Sequence, residues 1–370
     1  MSEHVECVVV GAGAVGLAVA RELALKGREV IVLERNSTVG SETSSRNNEV
    51  IHAGFLYPAD SLRGRLCQPG AHAMVEYCVE KGVAVSKCGK LVLGFDAADL
   101  NALENLLKRA PECGVDDLSL LTPAQVRELE PSIDCYAALL SPSTAVFDSH
   151  AFLLALHGDA ENAGAIFATN TNVTSAKCKK GIAQVSVQDA DGDTMQMSCS
   201  YLINAAGLGA TALAQSITGF PANRIPKIHL AKGHFINLSG KIPFARVIVP
   251  LEVAGGASFT PDYQGQGKFG PDLHWVDEID YSFDASVMPR IANSIRRYWP
   301  DLDESRLGPS FAGIRPRSWG PRCAVIGDWM IQGPVQHGVP GLINLYGIET
   351  PGLTASLSIA RYVVAGLQAP

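Results

Sequence analysis

The sequence predicts an α/β chain, α+β overall, with one unit on a mostly parallel sheet and a second, mainly antiparallel β unit. Three observations carry that expectation. Residues 5–34 read as strand, glycine turn, helix and strand. A set of short strands over 165–199 leads into a second glycine-terminated strand at 201–207, roughly 170 residues after the first unit. The stretch 226–310 is strand-rich, with long loops punctuated by Gly255, Gly256, Gly265, Gly267 and Gly270.

The first unit is the most informative. Residues 5–10 (VECVVV) form an apolar, β-branched run, followed by Gly11-Ala12-Gly13-Ala14-Val15-Gly16, a G-x-G-x-x-G. Residues 15–26 place Leu17, Ala18, Ala20, Leu23 and Ala24 at helical spacing, and Gly27 stops the helix. Residues 29–34 (EVIVLE) are a second buried strand ending in Glu34, 18 positions after Gly16. Strand before, helix after and acid beyond are the context that gives this motif its meaning, a dinucleotide site. Gly11 permits the tight turn, Gly13 lets a pyrophosphate approach the backbone, and Gly16 allows close packing of helix on strand. The helix N-terminus then faces the phosphates. Glu34 is placed to accept from a ribose 2′-hydroxyl and to repel a 2′-phosphate. The alternative, an ordinary βαβ unit with incidental glycines, leaves that agreement unexplained.

Composition sets the bounds. With 370 residues, the chain has length for about two domains. A net charge of −7 disfavours nucleic acid as a partner. No apolar run reaches the ~18 residues of a membrane span, since Arg21 and Glu22 interrupt the first helix. No basic leader precedes the first strand, so no signal peptide is expected. Nine cysteines stand at 7, 67, 78, 88, 113, 135, 178, 199 and 323, with no C-x-x-C. That pattern argues against a metal site or a disulfide framework and suits a reducing cytoplasm.

Further along, residues 36–49 are rich in hydroxyls and amides, among them Thr43, Ser44, Ser45, Asn47 and Asn48, suited to phosphate and ring contacts or to a plain surface loop. Helices are expected over 61–82, 96–109 and 149–163, with a short one capped by Thr122-Pro123. A meander runs through 165–168, 172–177, 183–188 and 195–199, turning at 189–193. Later come a helix at 211–216, another at 286–299, strands at 324–326, 330–332 and 342–346, and a last helix at 353–365.

A nicotinamide dehydrogenase normally completes its nucleotide domain contiguously. Here the chain leaves and returns, the layout of a Rossmann-like FAD-binding domain of the glutathione-reductase type. Gly207-Leu208-Gly209-Ala210-Thr211-Ala212 can be read as a second nucleotide motif for NADPH, but close backbone approach to the same FAD fits the layout better.

The motifs also carry a family resemblance over the whole chain. They are Asn47-x-x-Val50-Ile51-His52-Ala53-Gly54 with Tyr57, Ser61-Leu62-x-x-x-Leu66-Cys67, Cys88-Gly89-Lys90-Leu91, Asn204-Ala205-Ala206-Gly207, Lys232-Gly233 and Phe269-Gly270-Pro271-Asp272. Ala312-Gly313-Ile314-Arg315-Pro316 and Gly347-Ile348-Glu349-Thr350-Pro351-Gly352-Leu353-Thr354 complete the set. The chain resembles the FAD-dependent D-amino-acid-oxidase/glycine-oxidase superfamily, and within it the L-2-hydroxyglutarate dehydrogenase family. Asn48 stands where relatives carry Ser, Leu56 where they often carry Tyr, and Ser258 where Gly256-Ala257-Ser258-Phe259-Thr260 would have a histidine. These departures bear on the substrate more than on the fold or cofactor.

The resemblance implies non-covalent FAD held by Gly11, Gly13, Ala14, Val15, Gly16, Glu34, Arg35, Ser44, Ser45, Asn47, Asn48, Val173, Ala206, Gly207, Gly313, Arg315, Gly352, Leu353 and Thr354. It implies an FAD-binding domain over 1–86, 145–224 and 313–370, and a substrate domain over 87–144 and 225–312. The implied reaction is oxidation of a small 2-hydroxy (di)carboxylic acid to the 2-oxo acid, with a quinone or oxygen as the undetermined electron acceptor and peripheral membrane contact left open. His52 suits the base, since neutral imidazole has a reference pKa near ~6.5; a purely structural histidine is the alternative. Arg315 offers a planar fork to the substrate carboxylate, with a structural ion pair as the alternative. Lys232 is a candidate for a second carboxylate or for a place near the flavin, with a surface lysine as the alternative; Tyr57, Ser258 and Thr260 are candidates for the substrate pocket, with aromatic packing as the alternative for Tyr57. The free N–H groups of 352–354, opening the last helix, suit negative charge on a reduced flavin. Two rivals remain at this stage: an amine or amino-acid oxidase on the same fold, and a flavin-binding protein without turnover.

Overall fold

The structure is a computed structural model that describes residues 3–251, 257–323 and 326–367. Two compact units emerge, one from 1–45, 149–229 and 315–370, the other from 46–148 and 230–314. Residues 46–86, expected with the nucleotide unit, group instead with the second. Gly255, Gly256, Ala324 and Val325 lie outside the described residues.

The first unit is built on one mixed sheet. Glu3–Val10 runs parallel to Val30–Leu33 on one side and to Thr194–Asn204 on the other. Val8 and Val9 have no exposed surface, which is why this strand carries branched residues on both faces. Ile166–Ala168, expected in the meander, instead continues the parallel order beside Val30–Leu33. The two strands expected over 195–199 and 201–207 form a single strand, Thr194–Asn204. Its early residues pair antiparallel with Ile182–Gln188, and residues 202–204 pair parallel with Leu342–Tyr346. The helix Ala14–Leu25 buries Leu17, Val19, Ala20 and Leu23 and packs against helices Ser149–Asn162 and Ser356–Leu367.

Among the described residues, the second unit has a sheet of nine strands, antiparallel in most pairings. Lys90–Gly94 runs parallel to Val247–Pro250 and antiparallel to Ala137–Ser141. Phe244, Phe259, Phe269, Tyr298 and Trp299 form its aromatic core. Helix Met288–Arg296 contributes Ile291 and Ile295 to it. The helix Leu62–Lys81 begins where Ser61 Oγ accepts the Gly64 N–H at 3.0 Å and ends at Gly82, φ 67°. Side-chain caps also start Ala97–Arg109, from Asp96, and Pro123–Leu129, where Thr122 and Gln125 form a reciprocal box. No helix among the described residues is long and apolar enough to cross a membrane.

Candidate functional site

In the first unit, the glycine turn is shaped by steric demands that other residues would violate. Gly11 has φ 100°, and a Cβ there would lie 2.6 Å from the Ala205 carbonyl oxygen. A Cβ at Gly16 would lie 1.9 Å from the Gly11 carbonyl oxygen. Gly16 is therefore glycine first for the turn's own backbone, and only then for the neighbouring strand, where Ala205 Cβ is 3.5 Å away. Ser44 Oγ accepts the Ala14 N–H at 3.0 Å and ties the polar loop to the helix N-terminus. Glu34 is buried; its Oε2 accepts the Ala12 N–H at 2.8 Å, and its Oε1 accepts the Asn36 N–H at 2.8 Å.

These residues border a cavity of about 440 Å³, within the range of small-molecule and cofactor sites. Gly11, Gly13, Glu34, Arg35, Ser44, Val173, Ala206 and Gly207, all named from the sequence, line it. Ala14, Val15, Gly16 and Ser45 do not; the first three form the helix's first turn, and Ser45 Oγ donates to the Glu42 carbonyl. Asn36 and Gly40, from the polar stretch 36–49, also line it, and the sequence reading missed Thr171. Thr171 reaches the site through its backbone N–H to the Glu34 carbonyl, a pairing that no local motif announces.

Also in this unit, Arg315 Nη1 lies 3.5 Å from Glu349 Oε2, and Arg317 Nε lies 3.3 Å from the same carboxylate. Glu349 is buried, so the ion pair weighed as the alternative for Arg315 exists. The Arg315 side chain keeps 21% exposure and has donors to spare. The last helix starts at Ser356, not at 353; Gly352, Leu353 and Thr354 lie in turns before it. A Cβ at Gly352 would lie 2.5 Å from Ile348 Cγ2. That tight turn delays the helix.

In the second unit, His52 follows the short strand Val50–Ile51. Its Nδ1 lies 3.4 Å from Lys90 Nζ, and its carbonyl accepts from Cys67 Sγ. Lys90 has only 1% exposure, and burial pushes its amine down to about 8. Sequence rules place lysines outside cores, so this partner was not singled out. The Tyr57 N–H donates to the Gly54 carbonyl. Gly54 has φ 110°, and a Cβ there would lie 3.3 Å from Cys67 Cβ. Asn47 Oδ1 accepts the Glu49 N–H, and Asn48 lies just past the bend at residues 46–47. Gly313 has a reason within this unit, since a Cβ there would lie 2.5 Å from the Arg46 carbonyl oxygen.

Lys232 needs correcting. It is buried, and its Nζ donates to Asp280 Oδ2 at 2.7 Å and to Ser282 at 3.5 Å. An internal carboxylate already balances its charge, and the lysine's burial sets aside the surface lysine that was the alternative. Nearby, His234, Asp272 and His274 bring possible ligand atoms within 4.8 Å of one another. Asp272, however, already accepts the His234 N–H, His234 Nδ1 and the Arg290 guanidinium. A cation there would compete with Arg290. Ser258 is half-buried and its carbonyl accepts the Gly270 N–H. Thr260 is buried, and its Oγ1 has no hydrogen-bond partner among the described residues.

A family described as FAD-dependent oxidoreductase matches residues 6–365. The chain belongs to that family. Among curated relatives, the mitochondrial L-2-hydroxyglutarate dehydrogenase of Arabidopsis thaliana is 37% identical, covering 98% of this chain and 83% of that one. A glycerol 3-phosphate dehydrogenase of Caloramator mitchellensis is 27% identical, covering 97% and 73%. Among solved structures, the FAD-bound L-α-glycerophosphate oxidase of Mycoplasma pneumoniae superposes with a TM-score of 0.88 at 22% identity, covering 100% of this chain and 96% of that one. Glycine oxidase of Geobacillus kaustophilus superposes at 0.80 and 18% identity, covering 99% and 95%. FAD is thus the cofactor of this oxidoreductase. The glycine cradle, the buried Glu34 and the cavity fit its dinucleotide part.

Proposed function

We propose that this FAD-dependent oxidoreductase oxidises a small 2-hydroxy (di)carboxylic acid to the 2-oxo acid, with L-2-hydroxyglutarate as the leading substrate. The Arabidopsis relative supports the substrate class. The observation that carries the chemistry is the His52 imidazole, held at Nδ1 by Lys90. Bound FAD supplies the hydride acceptor. The chain supplies the rest. His52 takes the proton of the substrate hydroxyl. Arg315, fixed from behind by Glu349, takes a substrate carboxylate through its remaining donors. The Ala12 and Asn36 donors hold the Glu34 carboxylate in place to accept from the ribose. FAD is held without a covalent bond, so denaturation should release it.

Anaerobic bleaching of the holoprotein's flavin tests the reading. L-2-hydroxyglutarate, its D-enantiomer, malate, glycerol 3-phosphate and a panel of amino acids are the arms. Bleaching by the L-hydroxy diacid ahead of every amino acid is the expected order. Faster bleaching by an amino acid would overturn it.

A further inference from the structure

We propose that Lys90 and His52 form a proton-relay pair, in which Lys90 sets which ring nitrogen of His52 carries the proton and receives the proton that His52 removes. This rests on the reading of His52 as the base. Lys90 lies on an interior strand, with Val247 and Ser141 opposite it in register. Its Nζ is 3.4 Å from His52 Nδ1, and the Phe55 ring centroid is 5.7 Å away.

The charged and titratable surroundings leave the amine with little support as an ammonium. Cys67, from the helix Leu62–Lys81, and Cys88, two residues before Lys90, are the groups that act on it. Burial raises both thiols, so they stay neutral near pH 7. Ser141 from the adjoining strand is occupied with Thr144. Arg246, beside Val247, is paired with Glu130 at 3.0 Å. No carboxylate acts on Lys90 among the described residues. A buried ammonium without a counter-charge is costly, and burial brings the amine down to about 8. Both protonation states are therefore accessible in the working range.

The two states give His52 opposite characters. A Lys90 ammonium donates to Nδ1, which leaves the ring proton on Nε2 and makes His52 a donor there. A neutral Lys90 amine accepts from Nδ1–H, which puts the ring's lone pair on Nε2, the form that can take a hydroxyl proton. As that proton arrives at Nε2, the Nδ1 proton passes to Lys90. The ring ends neutral and Lys90 ends as the ammonium, so one proton has moved from the substrate hydroxyl to Lys90. Lys90 is thus a positioning residue acting through His52.

The test uses holoenzyme labelled with ¹⁵N in its imidazoles, with His52→Gln identifying the His52 signals. Between pH 6 and 9.5, the ring should convert from Nε2–H to Nδ1–H with a midpoint near 8. Lys90→Met should abolish that conversion, and Lys90→Arg, charged throughout, should hold Nε2–H. A tautomer that is constant with pH in the wild type, or a conversion that survives Lys90→Met, overturns the pair. In anaerobic flavin reduction by L-2-hydroxyglutarate, Lys90→Met should remove the pH break near 8 and slow reduction ~10-fold. The base reading fails separately: reduction by His52→Gln within a few-fold of wild type would remove it and leave the tautomer result standing.

Discussion

The Glu34 carboxylate accepts the backbone N–H groups of Ala12 and Asn36 and the Asn36 side-chain amide before any ribose is added. A carboxylate offers about four lone-pair sites, so room for a ribose hydroxyl remains. Glu34→Arg replaces all of these acceptors with donors. We expect at least a tenfold loss of FAD affinity, read as flavin bound per protein after dialysis; full retention would show that the ribose contact is dispensable. Arg315→Lys keeps the charge and loses the fork. It should raise KM for the acid substrate by about tenfold while FAD content is unchanged, and Arg315→Ala activity within a few-fold of wild type would end the clamp role. At Ser258, restoring the imidazole arm with Ser258→His should shift kcat/KM toward L-2-hydroxyglutarate over malate by roughly tenfold, the value of one hydrogen bond to a charged group. An unchanged ratio would place Ser258 outside the pocket. The sequence was most readable at residues of this kind, where one side chain has one chemical purpose. It gave no sign of the ion pair at Lys232, because the Asp280 that neutralises it lies 48 positions away.

At the scale of elements, the glycine turn and its helix act as one piece. A methyl at Gly16 would press on the Gly11 carbonyl, which is backbone and has no rotamer to move. Gly16→Ala should therefore cost on the order of 3 kcal/mol or more of stability together with most FAD binding, as measured by chemical denaturation and flavin content. Near wild-type values for both would mean that the turn opens more easily than its geometry implies. Helix boundaries were legible where a side chain caps them, as at Ser61, Asp96 and Thr122, because capping is local chemistry. The start of the last helix was not, since the crowding that delays it involves Ile348 and Glu349, upstream of the apparent Gly352 signal. The fusion of 195–199 and 201–207 into one strand was hidden for a related reason. Ser200 looks like a break in an apolar run, but Glu3–Val10 pairs with the strand on either side of it, at Cys199 and at Tyr201. The grouping of 46–86 with the second unit is a tertiary fact for which composition gave no sign.

Across the whole molecule, buried titratable groups set how stability varies with pH. Burial lowers His274 and His337, so the unfolded chain binds more protons below about 6.5 and stability falls with acid. The buried thiols work from the other side. Cys7, Cys67, Cys78 and Cys199 are raised to about 12, so above the ordinary thiol range near ~8.5 the unfolded chain releases protons that the folded chain keeps, and stability falls with alkali. Lys90 opposes that alkaline loss. Its folded value of about 8 lies below the ~10.4 of a free lysine, so between those values the unfolded chain carries the extra proton and stability rises with pH. Below 8 both states are protonated and the folded protein bears the full cost of the buried ammonium, roughly 3 kcal/mol. Lys90→Met removes that cost at the expense of the His52 hydrogen bond. With FAD in constant excess, Lys90→Met should melt above wild type at pH 7, and its advantage should shrink steadily from pH 8 toward pH 10.5. The contributions of His274, His337 and the thiols that do not face Lys90 are common to both proteins and cancel in the difference, while Cys67 and Cys88 lose the lowering effect of the ammonium. Thermal melts of the two holoproteins across pH 6–10 would show the narrowing gap directly, and a gap independent of pH would mean that Lys90 is as fully protonated in the folded protein as in the unfolded chain.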